Sequence, residues 1–125
     1  MSAEAAKAKL LVVDDDNGLR ETLTDFFELE GYTIIQAANV AEAQARLKEG
    51  EPDLLLLDIN MPGMSGLDLL HRIREYAPAP PPFIMMITAY GDPEKYEEAM
   101  RLGANDFLHK PLDFNTLKQK LENLS

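Results

Sequence analysis

The chain has 125 residues and a mass of 14.0 kDa, which is the size of one domain. Its hydrophobic content of 46% is enough to bury a core, and this argues against a disordered tail. The absence of cysteine excludes disulfide bonds and thiolate metal sites. A net charge of −10 argues against nucleic acids and anionic membranes as direct ligands of this domain.

Apolar stretches in the sequence are short. The longest runs have four or five residues, far below the roughly 20 residues that a membrane-spanning helix needs. The first residues are rich in Ala and Lys and lack the apolar centre of a secretory signal. We therefore expect a cytoplasmic protein, with residues 1–8 as a flexible N-terminal extension and residues 9–125 as a single domain.

Five apolar runs rich in Leu, Val, Ile or Phe predict five strands. They are Lys9–Val13, Tyr32–Gln36, Asp53–Leu57, Phe83–Ile87 and Asp106–His109. The letters LLVV and LLLL in the first and third runs are continuous rather than alternating. Continuous runs are typical of parallel strands that helices cover on both faces.

Helical signals fill every gap between the predicted strands, and one more helix follows the last strand. The predicted helices start near Asn17, Asn39, Ser65, Asp92-Pro93 and Asp113, and Gly31, Gly50 and Gly103 end three of them. Five strands that alternate with five helices predict an α/β fold, a doubly wound (βα)5 sandwich. Its five-stranded parallel sheet would have the order 2-1-3-4-5, which is the flavodoxin-like topology.

Polar residues follow most of the predicted strands. The acidic run Asp14–Asp16 follows the first strand, Asp58 the third, Thr88 the fourth and Lys110 the fifth. Only the second strand ends without a charged or hydroxyl side chain, in Gln36–Ala38. Because ligands of doubly wound sheets bind at the carboxyl ends of the strands, these polar residues predict one site at that edge.

The acidic residues at this edge predict a metal site. The first and third strands would be neighbours about 4.8 Å apart, which brings Asp15 and Asp58 within reach of one cation, with Asp14 beside them. Three clustered carboxylates repel one another unless a hard cation with oxygen ligands, Mg²⁺ above all, lies between them. Lys110 adds a second positive charge, so the edge is suited to holding an anion against a carboxylate. We interpret Asp16 as a helix N-cap.

Four motifs occur in order along the chain: LLVVDDD, LLLLDINMPGMSG, MITAY and DFLHKP. As a set these motifs are specific. With them the chain resembles the CheY-like receiver domain of two-component response regulators, and the resemblance extends from Lys9 to about Leu124.

The resemblance implies a role for each residue at the predicted site. Asp58 corresponds to the phosphoacceptor. Asp15 and Asp58 would bind Mg²⁺ together with the main-chain carbonyl of Asn60, and Asp14 would act through water. Thr88 and Lys110 match the hydroxyl and ammonium groups that contact the phosphoryl oxygens.

The resemblance also implies a conformational switch. Thr88 would move toward the phosphoryl group, and Phe107, where many relatives have Tyr, would then rotate into the vacated space. The surface formed by the fourth helix, fifth strand and fifth helix would change as a result. Phe107 as an ordinary core aromatic is the alternative.

Four further positions would flank the site: Asn60, Ala89, Tyr90 and Pro111. A small Ala89 is consistent with an open phosphoryl pocket, and Tyr90 would restrict access of water. The Lys110–Pro111 peptide bond is predicted to be cis.

The partners implied by the resemblance are a sensor histidine kinase or a histidine phosphotransfer protein as phosphodonor. An output domain or a target protein would read the switch, and a homodimer through the switch surface is a further option. No direct contact with nucleic acid or membrane is expected. The chain would not be an enzyme, since it would catalyse only its own phosphorylation and dephosphorylation.

Three alternatives compete with the phosphorylated receiver. A haloacid-dehalogenase-like Mg²⁺-dependent phosphatase would need a second Asp where Asn60 stands, and a cap insertion that is missing. A flavin-binding flavodoxin would need a Ser/Thr-rich phosphate loop in place of the acidic run. A degenerate receiver, acting as an interaction module without phosphorylation, is the third. The cognate kinase, the signal and the output stay open, as does whether the domain is free-standing or part of a longer regulator.

Overall fold

The computed structural model describes residues 8–50, 52–59, 66–76, 83–88 and 93–123. Five strands alternate with five helices within these ranges, as predicted. The elements are β1 (Lys9–Val13), α1 (Asn17–Leu29), β2 (Thr33–Ala37), α2 (Val40–Glu49), β3 (Leu54–Asp58), α3 (Gly66–Tyr76), β4 (Phe83–Thr88), α4 (Pro93–Arg101), β5 (Asp106–His109) and α5 (Phe114–Glu122). All strands are parallel in the order β2-β1-β3-β4-β5, which confirms the predicted doubly wound fold.

Strand boundaries differ from the prediction by one residue at the edge that carries the polar side chains. β3 ends at Asp58 and β4 at Thr88, so both residues belong to the sheet instead of following it. The cause is main-chain pairing that continues past the apolar runs, since Asp58 lies opposite Ile87 and Thr88 opposite His109. The sheet therefore holds the main chain at both positions.

Helices cover both faces of the sheet, and this explains the continuous apolar runs. In β1, Leu11 and Val13 pack into a core layer with α2, α3 and α4, whereas Leu10 and Val12 pack into a layer with α1 and α5. The leucines of β3, Leu54–Leu57, are at most 1% exposed. Such a strand has no solvent-facing side, so its sequence does not alternate.

The helix ends follow the predicted capping chemistry. The side chains of Asp16, Asn39 and Asp113 accept hydrogen bonds from main-chain N–H groups in the first turns of α1, α2 and α5. Gly31 and Gly103 have φ of 98° just beyond α1 and α4, a conformation that favours glycine. The predicted caps at Ser65 and Asp92 lie outside the described residues.

Among the helices that the structure describes, none combines the length and the apolar composition of a membrane-spanning segment.

Candidate functional site

Three carboxylates meet at the carboxyl edge of the sheet. Asp14 follows β1 directly and Asp58 ends β3, and these neighbouring strands pair through Val13 and Leu57. Ligand oxygens of Asp14, Asp15 and Asp58 lie within 4.8 Å of one another. Asp14 and Asp58 are 0% and 1% exposed, whereas Asp15 is open to solvent. The sheet thus brings together the three acidic residues that the sequence predicts at this edge.

Asp14 is held by hydrogen bonds on one side and by an ion pair on the other. Its N–H donates to the main-chain oxygen of Ala37 at 3.1 Å, and its Oδ1 accepts from the N–H of Asp16 at 2.9 Å. The charge beside its buried Oδ2 is the Lys110 ammonium group, 3.0 Å away, and no other described residue donates to this oxygen. Three carboxylates around one described ammonium group keep an excess negative charge, which is costly at a buried place unless a further cation lies beside them. The described members of the cluster are all carboxylates, which fits a hard divalent cation such as Mg²⁺.

Lys110 provides the positive charge of the site. Its Nζ lies 3.0 Å from Oδ2 of Asp14 as an ion pair, and it donates a hydrogen bond of 3.3 Å to Oδ2 of Asp58. Partial burial lowers the pKa of Lys110, but the contact with Asp14 and the charge of Asp58 outweigh it, and the pKa is raised overall. The side chain is therefore an ammonium ion at neutral pH.

A main-chain hydrogen bond holds Lys110 at the end of β5. Its N–H donates to the main-chain oxygen of Thr88 at 2.8 Å, which joins the ends of β4 and β5. The Lys110–Pro111 peptide bond is cis, which confirms the prediction. Pro111 itself is exposed beside the site.

The two residues predicted to form the switch lie on adjacent strands. Thr88, at the end of β4, is 3% exposed, next to the strand that carries Asp58. Phe107 in β5 is half-buried, and its ring centroid lies 4.8 Å from that of Tyr96 on α4 and 6.0 Å from that of His109. Phe107 therefore connects the sheet to an exposed aromatic residue of α4. The predicted flanking residues Asn60, Ala89 and Tyr90 lie outside the described part of the chain.

Gly66, the first residue of α3, packs against the main chain of Asp58. A Cβ atom built at Gly66 would lie 2.2 Å from the carbonyl oxygen of Asp58, which no side chain can tolerate without a shift of backbone. The N–H of Gly66 also donates to the main-chain oxygen of Ile59 at 3.2 Å. Glycine at this position is therefore a requirement of the site's geometry.

One group of residues at the site was missed from the sequence, because no charged or hydroxyl side chain follows β2. Arg20 of α1 donates from Nη1 to the main-chain oxygen of Asp14 at 2.6 Å and from Nε to Oε1 of Gln36 at 3.1 Å. Gln36 in turn donates from Nε2 to Oγ1 of Thr24 at 2.9 Å. The available signal was a single amide side chain, that of Gln36, near the end of the second strand.

A doubly wound sheet with three carboxylates and a lysine at its carboxyl edge is the arrangement expected of a receiver domain, and comparison with known proteins agrees. Residues 10–122 match the model of the response regulator receiver domain, and the chain belongs to this family. That membership leaves the phosphatase and flavodoxin alternatives without support.

Similar proteins include both short and long chains. The chain is 37% identical over 114 residues to sporulation initiation phosphotransferase F of Bacillus subtilis, covering 91% of this chain and 90% of that protein. It is 40% identical over 110 residues to the response regulator protein FleR of Pseudomonas aeruginosa, covering 88% of this chain but only 23% of FleR. Among the curated relatives, this chain thus covers nearly all of one and under a quarter of another.

Solved structures show the same fold. The chemotaxis protein CheY4 of Vibrio cholerae superposes with a TM-score of 0.88 at 32% identity, covering 96% of this chain and 100% of that chain. A response regulator receiver protein of Pseudomonas putida gives a TM-score of 0.87 at 34% identity, covering 97% and 99%.

Proposed function

We propose that this receiver domain accepts a phosphoryl group on Asp58 from the phosphohistidine of a sensor histidine kinase or of a histidine phosphotransfer protein. The observation that supports this most strongly is the position of the buried Asp58 carboxylate, beside two further carboxylates and 3.3 Å from the Lys110 ammonium group. The domain would be a signalling switch and not an enzyme acting on other substrates. We expect it to work in the cytoplasm.

In the proposed reaction an Oδ atom of Asp58 attacks the phosphorus of the phosphohistidine. An O–P bond forms, the N–P bond breaks, and the imidazole leaves with the electron pair and takes up a proton. Asp58 needs no general base, because a carboxylate is already a nucleophile. Hydrolysis of the resulting acyl phosphate by water releases phosphate and restores the carboxylate.

Charge neutralisation is the main catalytic requirement of phosphoryl transfer. Lys110 is positioned to approach the incoming phosphoryl oxygens, and its raised pKa keeps it charged. Mg²⁺, when bound, would neutralise the rest of the charge on the phosphoryl group. The residues that would hold it are Asp15 and Asp58, the main-chain carbonyl of Asn60, and Asp14 through water.

The signal would leave the site through Thr88 and Phe107. The Thr88 hydroxyl would turn toward the phosphoryl group, and Phe107 would follow it inward. Because Phe107 contacts Tyr96, this movement would alter the α4-β5-α5 surface. An output domain, a target protein or a second copy of the chain would read that surface. Ala89 and Tyr90 would set access to the phosphoryl group.

Intact-mass analysis after incubation with acetyl phosphate and Mg²⁺ tests the proposal. We expect a gain of one phosphoryl group, lost with EDTA and in Asp58→Asn. Asp53→Asn is a matched control, because Asp53 is an exposed aspartate next to the opposite end of β3. A gain that persists in Asp58→Asn would contradict the assignment. If neither acetyl phosphate nor beryllofluoride changes the protein, it is a degenerate receiver and the proposal is wrong.

A further inference from the structure

We infer that Gln36 at the end of β2 is a positioning residue for the metal site, acting through Arg20 on the peptide between Asp14 and Asp15. The inference rests on the proposed function, because it concerns the affinity of the acidic trio for Mg²⁺.

The contact with the acidic loop is made by the guanidinium group. Nη1 of Arg20 donates to the carbonyl oxygen of Asp14 at 2.6 Å, and that carbonyl belongs to the peptide that precedes Asp15. The N–H of Asp14 is already held by the main-chain oxygen of Ala37. Arg20 therefore fixes the carbonyl group of Asp14, and with it the orientation of the peptide plane between Asp14 and Asp15.

Asp15 depends on this main-chain restraint more than its neighbours do. Asp14 and Asp58 are buried in the sheet edge, so packing limits their side chains. Asp15 is exposed, so packing does not fix its side chain, and the orientation of the peptide before it has more influence on where its carboxylate lies. A metal ion that needs both Asp15 and Asp58 gains affinity when Asp15 is already aimed at the site.

Arg20 is held in turn by a ring of hydrogen bonds whose direction is fixed by chemistry. A guanidinium group only donates, so Gln36 must present its oxygen to Nε, at 3.1 Å. The amide nitrogen of Gln36 then donates to Oγ1 of Thr24 at 2.9 Å, and that hydroxyl donates to the main-chain oxygen of Arg20 at 2.7 Å. Nη2 of Arg20 also donates to Oδ1 of Asn17. The donors and acceptors of the ring are consistent in one arrangement only.

Loss of the Gln36 oxygen would release the side chain of Arg20. An arginine that is no longer held regains much of its rotamer freedom, and it would leave the Asp14 carbonyl for part of the time. The Asp14–Asp15 peptide would then sample several orientations. We expect weaker binding of Mg²⁺ with little change in the core, because Gln36 is only half-buried.

The test is a titration of the folded protein with Mg²⁺, followed through the amide NMR signals of Asp15 and Asp16. Gln36→Met keeps the length of the side chain and removes the acceptor, and we expect its Kd for Mg²⁺ to rise about tenfold. Gln36→Glu keeps an oxygen for Arg20, and we expect its Kd to stay at or below that of the wild type.

A second pair of variants tests the ring without changing β2. Thr24→Val removes the hydroxyl that holds the Gln36 amide, and we expect its Kd to rise about threefold. Thr22→Val is the matched control on the same helix. Thr22 makes the same kind of hydroxyl bond, to the main-chain oxygen of Gly18 at 2.8 Å, but is exposed and outside the ring. Its Kd should equal that of the wild type.

The outcomes separate the inference from the proposed function. A wild-type protein that shows no saturable response to Mg²⁺ contradicts both. A wild type that binds Mg²⁺, with Gln36→Met binding equally well, contradicts the inference alone. Equal weakening in Gln36→Met and Gln36→Glu also overturns it, because the acceptor oxygen would then be irrelevant. If Gln36→Met does not fold, the comparison of Thr24→Val with Thr22→Val decides.

Discussion

Neutralising Asp58 is expected to stabilise the metal-free protein although it abolishes phosphoryl acceptance. Asp58 is 1% exposed and shares the sheet edge with two other carboxylates, and the ammonium group of Lys110 contacts this cluster. Asp58→Asn removes one negative charge and keeps the shape of the side chain. The amide oxygen can still accept the hydrogen bond from Lys110.

The size of the effect follows from the distances. At an effective dielectric constant of about 20, the buried Asp14 carboxylate, at most 4.8 Å away, repels Asp58 by at least about 3.5 kcal/mol. The exposed Asp15 is screened by water and adds only about 1 kcal/mol, while the Lys110 ammonium group at 3.3 Å offsets about 5 kcal/mol. Because repulsion and attraction nearly cancel, the cost of burying the Asp58 charge decides the sign, and we expect Asp58→Asn to raise the free energy of unfolding by about 2 kcal/mol.

Urea denaturation in EDTA and then in Mg²⁺ measures this effect. In EDTA the variant should be the more stable protein. At a Mg²⁺ concentration about 100 times its Kd, the free energy of unfolding of the wild type should rise by about 2.7 kcal/mol and that of the variant by much less. The difference in stability between the two proteins should therefore shrink or change sign. Asp16→Asn, a helix cap in the same loop, is the control and should change stability by less than about 0.5 kcal/mol. A variant that is no more stable than the wild type in EDTA would refute the electrostatic reasoning.

Three further substitutions address other parts of the molecule. Lys110→Met leaves two buried carboxylates without their ammonium partner and should destabilise the metal-free protein by about 2–3 kcal/mol in urea denaturation; no loss would contradict the ion pairs described for the site. Burial raises the pKa of Tyr32, and the carboxylates of Glu122 and Glu30 raise it further. The free energy that the neutral Tyr32 side chain contributes to folding is therefore complete below about pH 10 and is lost as the pH rises through the native pKa. Tyr32→Phe should therefore lose less free energy of unfolding than the wild type between about pH 9 and about pH 11, and equal losses would count against this assignment. Phe27→Ala removes a fully buried ring that packs edge-on against Tyr32 and should cost about 3–5 kcal/mol by the same assay, whereas a cost below about 1 kcal/mol would show that the layer between α1 and the sheet can collapse.

The fold was predictable because its main determinant, the pattern of apolar residues in each strand, is a local property of the sequence. Burial of Leu54–Leu57 on both faces is a property of the strand itself, and alternation with capped helices leaves few topologies to choose from. The ends of β3 and β4 were less predictable. Asp58 and Thr88 are polar, so side-chain patterns end before them, whereas main-chain pairing carries the sheet through both.

The clustering of the three acidic residues was predictable from the sequence, whereas the residues that support them were not. The rule that ligands bind at the carboxyl ends of strands is enough to bring Asp14, Asp15 and Asp58 to one place. The contacts of Arg20 with Asp14 and Gln36 depend on how a side chain of α1 extends across to the neighbouring strand. No spacing in the sequence reveals a side-chain conformation of that kind, so this part required the structure.

The glycine that opens α3 shows that a residue without any functional group can belong to a reactive centre. Gly66 stands eight positions beyond Asp58 in the chain, yet only a hydrogen atom fits between the two main chains. A mutational scan that ranks residues by their chemistry would overlook it, and a loss of signalling in Gly66→Ala would easily be misread as a folding defect. The hydrogen bond from the N–H of Gly66 to the main-chain oxygen of Ile59 joins the residues on either side of positions 60–65. Chimeras that exchange residues 60–65 with those of another receiver should therefore leave the Asp58 carboxylate in place, provided that the glycine is kept.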